Sequence, residues 1–99
     1  MPNVWTKSSL DTPRRLKDRS PADQKRELRR LAHELGAGLD EAYFTPDGKS
    51  VYVLFHLPGD PAPFVDAISD ALRDEETNEP PEVVVLLTLE EYLDRDAGA

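Results

Sequence analysis

Apolar and polar residues alternate on both sides of an Asp47-Gly48 pair in the stretch DEAYFTPDGKSVYVLFHL, residues 40–57. Asp-Gly between alternating runs is a strong hairpin signal, because the positive φ angles it accepts match the twist of paired strands. Closing the chain there opposes Phe44 with Val51, Tyr43 with Tyr52, Ala42 with Val53, Glu41 with Leu54, and Leu39 with His56. Side chains along a strand point alternately to opposite faces. One face of the predicted ribbon therefore receives Ala42, Phe44, Val51, Val53, Phe55 and Leu57, with Asp40 at its edge. The other receives Leu39, Glu41, Tyr43, Tyr52, Leu54 and His56. Both are largely apolar.

On either side of the hairpin the period changes to that of a helix. Ser20 stands where a cap belongs, Pro21 suits the first helical position, and Asp23 falls three residues after the cap. Leu28, Leu31, Ala32 and Leu35 then follow at helical spacing until Gly36, which suits a left-handed C-terminus; the pattern predicts a helix over 21–35. Asp60 caps a second helix beginning at Pro61, with Phe64, Val65, Ile68, Ala71 and Leu72 in one stripe. After an acidic, proline-bearing linker at 74–82, the run VVVLLTL at 83–89 reads as a strand covered on both faces. Thr88 and Glu91 have capping-box spacing for a short terminal helix, and residues 96–99 read as a loose tail. At the start, NVWTKSS predicts a weak first strand with Val4 and Thr6 on one side and Trp5 and Lys7 on the other, followed by a polar loop to residue 19. The order is that of one α+β domain over residues 1–99, the ferredoxin-like βαββαβ arrangement with a four-stranded antiparallel sheet.

Two helices with one apolar stripe each cover only one face of such a sheet. The opposite face, with Leu39, Tyr43, Tyr52 and Leu54 beside part of the 83–89 run, would be a larger exposed apolar surface than single soluble chains usually carry. The expected remedy is a homodimer packed sheet against sheet.

Composition narrows the partners further. The chain has 99 residues, a net charge of −8 and no cysteine, which removes disulfides, thiolate metal sites and a cysteine nucleophile. Residues 1–36 carry nine Lys and Arg against five Asp and Glu, and residues 37–99 carry three against fifteen. An acidic body of this kind disfavours nucleic acid, whose phosphates are neutralised by basic side chains. With no apolar run near bilayer length and no secretory signal pattern, the expectation is a cytoplasmic protein without a membrane partner.

The stretch from DRSPADQKRELRRLAHELGAGLDEAYFTPDG through VYVLFHLPGD to LLTLEEYLD, residues 18–94, resembles the GYD-domain family of the dimeric α/β-barrel superfamily. Its clearest marks are the helix-Gly-strand junction and the LLT-x-EE ending. The first strand is less apolar than that family's, and the hairpin turns at TPDGKS in place of a Gly-Glu-Tyr-Asp-like turn. The resemblance implies a dimeric α/β barrel with a pocket for aromatic or otherwise oxygenated small molecules.

Candidate chemistry gathers on the mixed face of the hairpin. His56 and Glu41 are the candidate catalytic pair, a histidine oriented by a carboxylate being suited to proton transfer near neutral pH. Trp5, Tyr43, Tyr52 and Leu54 are candidate contacts for a small aromatic or apolar ligand, and the chemistry expected is cofactor-free proton transfer, cyclisation or oxygenation. The competing reading makes the same groups a dimer seam in a non-catalytic assembly module, since tyrosines are ordinary interface residues. A basic stripe of Arg26, Arg29, Arg30 and His33 on the first helix reads as a solvated exterior with pairing such as Arg30 to Glu34. Two histidines far apart and no cysteine give no metal motif, and no glycine-rich phosphate loop is present.

Overall fold

The computed structural model describes residues 3–97. Seven elements follow one another: β1 (Asn3–Ser9), α1 (Pro21–Glu34), β2 (Gly38–Phe44), β3 (Ser50–His56), α2 (Pro61–Ala71), β4 (Glu82–Leu86) and α3 (Leu89–Ala97). The strands form one antiparallel sheet in the order β2-β3-β1-β4. This is the ferredoxin-like βαββαβ arrangement, with α3 added at its end. Among the described residues no helix is long and apolar enough to cross a membrane.

Local signals set the helix ends. Ser20 Oγ accepts the Asp23 N–H at 3.2 Å, and Gly36, at φ +76°, carries the chain out of α1 through a conformation that a side chain would oppose. Asp60 Oδ1 accepts the Ala62 N–H at 3.0 Å to start α2. At α3 the bonding is reciprocal: Glu91 N–H donates to Thr88 Oγ1 at 3.2 Å, and Thr88 N–H donates to Glu91 Oε1 at 3.0 Å. The apolar stripes of α1 and α2 then close over one face of the sheet. Leu28, Leu31 and Ala32 from α1, Phe64 and Ile68 from α2, and Leu72 at the C-cap of α2 are buried against Val4, Val51, Val53 and Phe55. Phe55 and Phe64 meet edge to face with centroids 5.1 Å apart. Burying each large side chain stabilises the fold by roughly 1.5–3 kcal/mol.

The first strand, weak in sequence, lies in the middle of the sheet between β3 and β4. Its inner side is Val4, Thr6 and Ser8, all buried, and its outer side holds Trp5 and Lys7. The polar loop that follows is better anchored than its composition suggests. Leu10 and Leu16 are both in the core, Leu10 N–H donates to the Lys49 carbonyl at 2.9 Å, and Gln24 Nε2 donates to the Leu16 carbonyl at 3.2 Å.

Two expectations are corrected. The hairpin register holds from Phe44–Val51 to Glu41–Leu54, but a β-bulge between Leu39 and Glu41 then pairs Leu39 with Phe55 and Gly38 with His56. A residue inserted on one strand reverses every side chain beyond it. Leu39 thus turns inward to pack on the core, and Asp40 leaves the edge of the inner face for the outer one. The second correction concerns β4. The apolar run is not covered on both sides within one chain, for Val84, Val85 and Leu86 are 47%, 41% and 37% exposed. Beyond it α3 presents Leu89, Tyr92 and Leu93 to solvent and continues to Ala97, two residues into the expected tail, whose last two residues lie outside those described. The molecule measures 46 by 25 by 25 Å.

Candidate functional site on the open sheet face

Alternation along the strands fixes what the uncovered face displays. From β1 come Trp5 and Lys7, from β3 Tyr52, Leu54 and His56, from β2 Tyr43, and from β4 Glu82, Val84 and Leu86. Trp5 is the centre of an aromatic platform. Its ring lies nearly parallel to that of Tyr43, with centroids 6.4 Å apart and planes 8° from parallel, and meets Tyr52 edge-on at 5.4 Å. Lys7 Nζ sits 5.5 Å from the centre of the Tyr52 ring, within the range of a cation–π contact. Leu54, half-buried, is the register partner of Trp5. On the β4 side the platform falls away into a shallow trough of about 250 Å³ walled by Trp5, Lys7, Tyr52, Glu82, Val84 and Leu86.

The two expected catalytic groups do not meet. His56 stands at the end of β3, and its carboxylate partner is Asp40, with Nδ1 2.6 Å from Oδ1. Glu41 is held elsewhere: its Oε1 accepts the Ala42 N–H at 3.0 Å and the Lys25 ammonium of α1 at 3.1 Å. Those two donors, the backbone N–H first, hold its carboxyl below the ordinary carboxylate value. The expected Glu41–His56 pair is therefore replaced by Asp40–His56, and the cause is the bulge.

Gly38 completes the arrangement. It lies directly across from His56, and a Cβ at that position would overlap the imidazole ring. An apolar Leu39 suits either face of the ribbon by its sequence, and only its packing on the core, three positions from inward-facing Ala42, demands that the strand slip phase by one residue between them.

Two other features do not join this site. The basic stripe on α1 is largely self-neutralised, Arg26 pairing with Asp23 at 2.8 Å and Arg30 with Glu27 at 2.9 Å and Glu34 at 3.7 Å. A cleft of about 590 Å³ opens between the hairpin end and the 74–82 loop, near Lys49, Ser50, Asp74 and Glu79. Asp74 already accepts the N–H groups of Thr77 and Glu76 at 3.1 and 2.8 Å, which, Thr77 foremost, lower its carboxyl below the ordinary range and tie the loop to itself. Among the described residues, no three histidine or carboxylate side chains gather to hold a metal ion.

No family model, curated protein or solved structure matches the chain. The site therefore has to be read from its own chemistry.

Proposed function

We propose that two copies of the chain pair with their open faces together and that the seam holds a chamber for a small aromatic or apolar molecule. The observation that carries this reading is the Trp5 platform: three aromatic rings beside an apolar trough, on a face whose Tyr43 and Val84 are 54% and 47% exposed in the single chain. Stacked rings offer a flat ligand a rigid surface, and apolar walls with few polar groups are the usual lining of small-molecule sites. A trough open on one side becomes an enclosed chamber when a second sheet is laid over it. Kinship with the GYD-domain proteins, which rests on the sequence marks alone, belongs to the same proposal.

A second reading has its own support. Leu89, Tyr92 and Leu93 on α3 are exposed as well and line neither the platform nor its trough, as they would in a module whose sole task is assembly. Two measurements separate the readings. Sedimentation velocity at micromolar concentration should give a species of about twice the 11.1 kDa chain mass. Trp5 is the only tryptophan, so its fluorescence should be quenched in a saturable manner by phenols or aromatic acids. A dimer with no saturable quenching favours assembly, and a monomer defeats both.

A further inference from the structure

We propose that His56 is a general base and Asp40 its positioning residue, acting on an acidic C–H or O–H proton of an aromatic molecule that lies on Trp5. The inference rests on the chamber reading above and adds the chemistry performed there.

Three features converge on the pair. The bulge in β2 interrupts an otherwise regular ladder, and its local effect is to bring the Asp40 carboxylate to 2.6 Å from His56 Nδ1. Bulges of this kind commonly re-aim a side chain beside an active site. Gly38 leaves the space that the imidazole occupies, and its φ lies outside the left-handed region, so room for the ring is the demand it answers. The register partners of the histidine add no competing charge. Glu41, the adjacent carboxylate, is engaged by Lys25, and the register partners of His56 are Asn3 and Gly38, neither of which is charged.

Geometry then assigns the ring nitrogens. An Nδ1–H donated to Asp40 leaves the lone pair on Nε2. Trp5 pairs with Leu54, two residues before His56 on the same face, which makes His56 its diagonal neighbour, a position whose backbone spacing is about 7–8 Å, with the imidazole lying over Gly38 on the β2 side. In the step proposed, the substrate proton moves to Nε2 and its electron pair stays on the substrate as an enolate or phenolate. The imidazolium so formed faces the Asp40 carboxylate. Return of the proton to the same or a neighbouring atom closes the cycle with no oxidant or reductant.

Two experiments on the full chain test this. Nitrogen-15 NMR of the neutral protein should find His56 as the Nδ1–H tautomer, and Asp40→Ala should convert it to the Nε2–H form. The aromatic probe 5-nitrobenzisoxazole tests catalysis: a base takes its C3 proton, the N–O bond breaks, and the electrons end on the phenolate oxygen. Saturable turnover is expected, lost at least tenfold in His56→Gln, since a positioned base typically contributes a factor of about 10²–10⁴. The shape-preserving Asp40→Asn should lower kcat with little change in KM, whereas Trp5→Ala should raise KM and leave the tautomer unchanged. An Nε2–H tautomer in the parent protein, or equal kcat in His56→Gln, overturns the proposal while the chamber stands. A correct tautomer with a rate that never saturates and ignores Trp5 overturns the chamber, and the catalytic role with it.

Discussion

Thr6 occupies the middle of the central strand, 1% exposed, and among the described residues its Oγ1 has no hydrogen-bond partner. A hydroxyl sealed away from water without a partner costs roughly 1–3 kcal/mol, whereas removing it without changing shape leaves nothing unsatisfied. Thr6→Val should therefore raise the unfolding free energy by about 1 kcal/mol in urea titrations. A fall would mean that the hydroxyl is bonded in solution. Polar β1 remains a strand because both its edges are paired and its inner side chains are small enough to fit under the helices. Its inner and outer sets were legible from alternation alone, Val4 and Thr6 against Trp5 and Lys7. Leu10 and Leu16 were not, for an apolar residue isolated in a polar segment carries no period, and only tertiary packing decides that it is buried.

Elements show the same division between local and distant causes. Ser20, Asp60 and Thr88 were readable as caps because each satisfies a backbone N–H within three residues of itself. The turn was readable for a similar reason, and it set the register as far as Glu41–Leu54. Beyond that point the inward demand of Leu39, set by the core across the sheet, overrode simple counting. The aromatic platform was thus largely legible, whereas the partner of His56 was not. Deleting Asp40 gives this idea a direct test. The shortened strand can keep Leu39 opposite Phe55 and Gly38 opposite His56 without a bulge, so the fold should survive with unchanged helix content by circular dichroism. His56 should lose its Nδ1–H tautomer in the same protein. A deletion that unfolds the chain would show that the bulge serves the sheet and not the histidine.

For the whole molecule, the decisive number is how many helices reach the sheet. Two pack on the inner face and the third extends past β4, so the outer face is left to Trp5, Tyr52, Leu54, Val84 and Leu86. That shortage was visible in the sequence, because helical stripes can be counted before any contact is known. If a second copy supplies the cover, folding is linked to concentration by mass action, and the melting temperature should climb by a few degrees for each tenfold increase in protein. Val84→Lys should abolish that dependence, and a concentration-independent parent protein would contradict it. The position of β4 has one more consequence. Among the described residues no strand lies beside its outer backbone edge, and VVVLL is the kind of sequence along which sheets lengthen into filaments. Five residues of strand, preceded by Pro80 and Pro81 and opening on Glu82, are the brake on such growth. Two prolines and one charge thus stand between this edge and endless lateral addition.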